Sequence, residues 1–155
     1  MASKFTHILV LFLAVVDIYA QSTLTILANN SDLSKPNTRL EMVLNLNNRV
    51  DSLLYIVLPA KLKAVPLSVQ KGNDTLWLKN SIKRPDKKDA ISWTVSDGNT
   101  IIFRFLKGAV VPGDILKVVC MVKYRGKQSQ EDKILLKSGP TSAIIAETLL
   151  TTISR

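Results

Sequence analysis

Histidine, cysteine and aromatic side chains are scarce in this chain. Among 155 residues there is one histidine and one cysteine, and Phe, Trp and Tyr together make up 6%. The histidine, His7, falls in an N-terminal stretch with the marks of a secretory signal peptide: Lys4, an apolar run over 8–16, and Ala20 ahead of Gln21. A chain cut after residue 20 has no histidine. Neither a Ser-His-Asp or Cys-His nucleophile system nor a zinc site of Cys and His can then be assembled. Long hydrophobic runs are missing as well. A bilayer core takes about 20 consecutive apolar residues, and no segment reaches that length, so a secreted, extracellular protein that does not span a membrane is expected. No Gly-rich phosphate loop is present, because the spacing from Gly108 to Gly113 lacks the Lys-Ser/Thr pair that completes one. No cofactor is expected.

The enzymatic raw material that remains is carboxylate pairs, Asp86 with Asp89 and Glu131 with Asp132. Both pairs stand in Lys-rich, turn-like sequence that reads as solvated surface charge. The chain therefore reads as a non-enzyme. Cleavage after residue 20 removes Lys4 and Asp17, one charge of each sign, so the formal charge of +9 is carried by a smaller body. The densest run is Lys83-Arg84-Pro85-Asp86-Lys87-Lys88. Outside the cell such a run meets sulfated glycans, acidic wall polymers or phosphorylated lipid heads. No aromatics interleave with it as stacking on bases requires, so nucleic acid is not the expected partner.

What the sequence does have is alternation. From 115 to 124, Leu116, Val118, Cys120, Val122 and Tyr124 form one apolar face while Lys117 and Lys123 fall on the other. Similar runs occur over 24–28, 40–46, 53–58, 91–95 and 101–105, with shorter ones over 76–78 and 134–136. Turn chemistry separates them at Ser34-Lys35-Pro36-Asn37, Asn47-Asn48-Arg49, Lys71-Gly72-Asn73-Asp74, Ser96-Asp97-Gly98-Asn99 and Val111-Pro112-Gly113-Asp114. This spacing predicts an all-β fold, an immunoglobulin-like antiparallel β-sandwich of seven to eight strands, with a tight hairpin at Asp97-Gly98. A lone cysteine excludes the immunoglobulin disulfide, and Cys120 reads as a buried, inert thiol. After Ser138-Gly139-Pro140, Ile144, Ile145, Leu149 and Ile153 fit one side of a short helix, although Thr148, Thr151 and Thr152 weaken the propensity; a short helix or a frayed extension is expected, which would cover a sheet edge or an end of the sandwich. The expected organisation is a signal peptide over 1–20, one sandwich domain over 21–137 and a tail over 138–155.

Two N-glycosylation acceptor triplets are legible, Asn29-Asn30-Ser31 and Asn73-Asp74-Thr75, both where the strand pattern breaks. A further pattern comprises Phe103-Arg104, then Gly113-Asp114 with Ile115-Leu116, then Tyr124-Arg125-Gly126. It resembles the core of the N-terminal domain of the β-1,3-glucan recognition proteins, or Gram-negative bacteria-binding proteins, a domain classed as carbohydrate-binding module family thirty-nine. Upstream, the strand over 53–61 and the segment Trp77, Ile82-Lys83 and Pro85 are similar to that family too. The resemblance implies a stand-alone immunoglobulin-like module that binds β-1,3-glucan or a related microbial cell-wall polysaccharide in innate immunity. It departs from the family at Ile101, where the family has tryptophan, and at Lys117, Val118, Val119 and Met121, where the family's long strand is rich in aromatics. The stacking residues left for a sugar ring are Trp77 and Trp93, with Asp97 and Arg104 as polar partners; core packing is the other reading of both tryptophans. The alternative to glucan binding is a basic interaction protein for anionic surface polymers or a protein partner.

Overall fold

The computed structural model describes residues 21–27, 35, 38–47, 50–125 and 131–150. The signal peptide over 1–20, Asn29 and Gly126 lie outside the described residues, as do most of the turn over 34–37 and Asn48-Arg49.

Ten strands are described: β1 (Thr23–Leu27), β2 (Thr38–Leu46), β3 (Leu53–Val57), β4 (Leu62–Lys71), β5 (Asp74–Asn80), β6 (Ala90–Ser96), β7 (Thr100–Arg104), β8 (Asp114–Tyr124), β9 (Lys133–Ser138) and β10 (Ala143–Leu149). Their hydrogen-bonded order is β1-β2-β8-β4-β5-β6-β7-β3-β9-β10. The order folds into two layers at β5. Asp74, Thr75 and Leu76 pair antiparallel with β4 in the first layer, and Trp77 to Asn80 pair parallel with β6 in the second. At the far side β1 and β10 come into contact, so the layers meet at both margins.

Alternating residues supply the core between the layers. Leu40, Met42, Leu44 and Leu46 from β2 and Leu116, Val118, Cys120 and Val122 from β8 face Leu54, Ile56, Ile101 and Phe103 from β3 and β7, all buried. Tyr124 ends the apolar face of β8. Its hydroxyl donates to the Asp132 carboxylate, the kind of partner a buried phenol needs. One member of the Glu131-Asp132 pair thus ties β8 to the start of β9, and the Asp132 carbonyl accepts from the Leu150 N–H after β10.

The sandwich and all eight expected strands are present, with three corrections. Over its described residues, 138–150, the tail is not a helix: β10 pairs antiparallel with β9, with a bulge between Ile144 and Ala146, and Ile153 lies outside the described residues. Ile144, Ile145 and Thr148 are β-branched and prefer the extended chain, and the open edge of β9 offers backbone partners a helix would forgo. The tail does cover a sheet edge, by pairing with it. Second, β4 runs through a stretch in which the sequence gives no strand signal. Pro66 sits where its register with β8 shifts, between Pro66 and Ser68, one of the few places a sheet admits proline. Third, the β5–β6 pairing is parallel in an otherwise antiparallel arrangement.

Cys120 is fully buried, and desolvation pushes its thiol up to about 12, against 9.0 for an exposed thiol. The folded thiol therefore stays protonated and unreactive. Because the unfolded chain gives up this proton first as pH rises, the stabilising contribution of Cys120 is intact below about pH 9 and declines between 9 and 12. Treatment of the folded chain with a thiol-specific reagent at pH 8 is expected to label almost nothing, with complete labelling in concentrated urea. Rapid labelling without denaturant would contradict the burial.

Candidate functional site

The residues that carry the family resemblance divide into those that make the fold and those that face solvent, Arg104, Ile115 and Arg125. Phe103 is 1% exposed and belongs to the core. Gly113 adopts φ +92°, which L side chains rarely reach, and donates its N–H to the Leu46 carbonyl at 2.6 Å. Asp114 accepts the Val111 N–H at 2.8 Å and pairs with Lys71 at 2.8 Å, which fastens the turn to the end of β4. Arg104 points outward from β7, and its guanidinium donates to Thr94 Oγ1 at 2.9 Å. Ile101 is fully buried, so the position where the family has tryptophan faces the core of this chain.

The two tryptophans have opposite fates. Trp93 shares the parity of Ile91 on β6, lies beside Phe103 in the register and packs against the core, half-buried. Trp77 is 72% exposed. Its neighbour Leu76 is the last residue of β5 paired with β4 and turns into the core, so the next side chain is directed out of the second layer. The Trp77 N–H donates to the Asp89 carbonyl at 2.9 Å, and Trp77 stands opposite Ala90. A strand this well paired holds the indole on rigid backbone.

Parallel pairing has a second consequence. A chain leaving β5 must travel back along the sheet before it can begin β6 in the same direction. The connection over 81–89 does this. With the inner side filled by the core, it returns across the outer side, and Pro85 is its buried residue. Lys83, Arg84, Asp86, Lys87, Lys88 and Asp89 on this crossover are exposed, as is Ile82 at 77%. The carboxylates of Asp86 and Asp89 thus lie on open surface.

Of the four residues singled out for sugar contact, the structure brings Trp77 and Arg104 to the outer side of the second layer and separates the others from them. Trp93 faces inward. Asp97 is exposed in the β6–β7 turn, at the other end of β6 from Ala90 and so roughly 20 Å from Trp77 along the strand; its carboxylate accepts from Ser96 Oγ at 3.1 Å. Arg104 and Trp77 are two strands apart, roughly 12 Å between backbones. The surface between them is not an open groove, since Ser92, which the register places between Lys79 and Arg104, is 1% exposed; among the described residues its hydroxyl has no hydrogen-bond partner. Two outward residues escaped the sequence reading. Tyr55 on β3, half-buried, aligns with Ile102 and Thr94 next to Arg104, and exposed Lys79 follows Trp77 on the same face. Alternation with buried Leu54 and Ile56 was the signal that placed Tyr55 outward. Asn73, the described glycosylation candidate, is exposed in the β4–β5 turn after Gly72 at φ +59°.

At the Asp97 end, Gly98 is fixed by its backbone, with φ at +72°; an added Cβ would meet the tip of the Lys63 side chain, which is free to move aside. Gly98→Ala is expected to lower stability by about 1–2 kcal/mol from the backbone term alone, read as a lower urea midpoint; an unchanged midpoint would contradict the turn geometry. The tryptophans yield a contrast in the same assay. Trp77→Ala should stay within about 0.5 kcal/mol of the parent, whereas Trp93→Ala should cost about 2–3 kcal/mol for its half-buried ring. Equal losses would refute the assignment of one to surface and the other to packing.

No family model matches the chain, and none of the curated proteins matches it. Among solved structures it is similar to the N-terminal domain of a Streptococcus gordonii adhesin, at 12% identity and TM-score 0.52, covering 84% of this chain and 32% of that one. BslA, a bacterial hydrophobin, aligns at 12% identity and TM-score 0.47, over 86% of this chain and 99% of that one. A cohesin module from a Clostridium perfringens family 33 glycoside hydrolase aligns at 15% identity and TM-score 0.42, over 84% and 96%. At such identities the likeness is one of fold, and the adhesin domain, above 0.5, is the one that bears on it: the chain has a β-sandwich fold.

Proposed function

We propose that this protein is a secreted, non-catalytic glycan-binding module whose contact residue is Trp77. The observation that carries the reading is the 72% exposure of an indole held on a paired strand. Burying a tryptophan is among the most favourable things a small domain can do with it, and Trp93 in the same chain is packed against the core. An indole left in water on a paired strand offers a flat apolar face whose backbone is already ordered before binding. The C–H face of a pyranose is the complementary surface. The family resemblance supplies the choice of sugar, β-1,3-glucan or a related glycan of microbial cell walls, and with it a role in innate immune recognition. Of the polar partners suggested by the sequence, Arg104 shares the outer side of the layer with Trp77, while Asp97 and Trp93 do not take part in this contact.

The test is retention of the chain on insoluble β-1,3-glucan, measured against cellulose, chitin and peptidoglycan. Selective retention on the glucan is expected, and Trp77→Ala should weaken it about tenfold, the effect of losing roughly 1.5 kcal/mol of aromatic contact. Trp93→Phe should bind like the parent. Retention on none of the four polymers, or retention that Trp77→Ala leaves unchanged, would overturn the reading.

A further inference from the structure

We infer that the glycan site at Trp77 extends onto the β5–β6 crossover, whose cations hold carboxylate or sulfate groups, so that an anionic polysaccharide binds there more tightly than the neutral glucan. This deepens the reading of Trp77 as a glycan contact and rests on it. Lys79, on the face of β5 that carries Trp77, and Lys83, Arg84, Lys87 and Lys88 on the crossover are all exposed. Asp86 and Asp89 are the acidic residues of that segment, so it holds a net excess of cations. Among the described residues, the ion pairs Lys71–Asp114, Lys117–Glu41 and Lys133–Glu147 lie elsewhere, and none of these five cations takes a carboxylate. Arg84 also borders an open groove with Lys107 and Asp51 at the end of the sandwich. The register brings this charge to the tryptophan. The Ala90 N–H donates to the Lys87 carbonyl at 3.2 Å and the Trp77 N–H to the Asp89 carbonyl, so the last turn of the crossover is fastened beside the indole. Lys79 stands two residues along the strand, about 7 Å away.

Unpaired cations crowded into one segment repel one another and raise the local potential, which favours a ligand that brings negative charge at regular intervals. A neutral glucan would use the indole and leave five cations idle; an acidic polysaccharide engages both. Anionic lipid is the less fitting partner. Membrane insertion needs a contiguous apolar wedge, whereas Ile82, the other exposed apolar residue nearby, stands on the crossover beside Lys83 and Arg84, with Lys79 between it and Trp77 in the chain. Single-stranded nucleic acid wants several stacking platforms, and the crossover contains no aromatic residue.

The experiment measures affinity of the full chain for dextran sulfate and for laminarin, a neutral β-1,3-glucan, between 20 and 300 mM NaCl. Dextran sulfate should bind more tightly, with an affinity that falls steeply with salt. In K83Q/R84Q/K87Q/K88Q the log–log salt slope should shrink by about three, since each lost cation–anion contact removes about 0.7–0.9. Trp77→Ala should lower affinity about tenfold with the slope unchanged. K63Q/K123Q, which removes charge from the other layer, should leave the slope as it was; a per-charge loss equal to that of the crossover variant would remove the site from the crossover. Tighter, salt-insensitive binding of laminarin that depends on Trp77 would overturn the anionic assignment and leave the glycan reading standing. Failure of both polymers to bind would overturn both. Phosphatidylserine vesicles or single-stranded DNA bound more tightly than dextran sulfate would replace the ligand class.

Discussion

Between Leu76 and Trp77 one strand changes layer, and most of what distinguishes this sandwich follows from that step. Asp74 to Leu76 complete the first sheet against β4, and Trp77 to Asn80 open the second against β6. The change of partner comes with a change of direction from antiparallel to parallel. Parallel pairing then demands a return connection, and the chain makes it with a segment that holds Lys83, Arg84, Lys87 and Lys88. The exposed indole and the band of cations are therefore two results of a single topological feature, which is why they stand together although they are separated in sequence.

The features that give the chain its family likeness do a different job. Gly113 is needed for its φ, Asp114 for capping the turn and holding Lys71, and Phe103 for filling the space between the sheets. A pattern built from such residues reports how a sandwich is turned and filled. It says less about what its surface receives. Position 101 makes the point from the other side: the tryptophan the family places there would here have pointed into the core, where Ile101 is fully buried. Recognition in this chain has to be argued from its own outward residues, Trp77 first among them.

Much of the fold was legible because burial on one face imposes a period of two. β8 spells out its register with five alternating buried residues, and Asp97-Gly98 names its own hairpin through two positive φ values. β4 was hidden because Pro66 breaks the pattern and Lys61 and Lys63 make its start look like a loop, although the break is a bulge and the lysines lie on the outward side. β10 was misread because Ile144, Ile145 and Leu149 fit a helical stripe and break a period of two, where the structure has a bulge between Ile144 and Ala146; the unpaired edge of β9 decides for the strand. The site was half legible. Trp93 between Ile91 and Val95 points to packing, but in Leu76-Trp77-Leu78 the outward direction of the indole depends on which strands flank β5, and a parallel partner arriving from ten residues downstream leaves no mark in the local sequence.

The central claim is that Trp77 is the residue a saccharide covers. The chain has two tryptophans, so in Trp93→Phe the emission belongs to Trp77 alone. Its spectrum should be that of an exposed indole, readily quenched by acrylamide, and addition of a bound polysaccharide at saturation should shift the emission to the blue and cut the quenching several-fold. Emission and quenching that stay the same while binding is demonstrated by an independent method would place the ligand elsewhere and contradict the account.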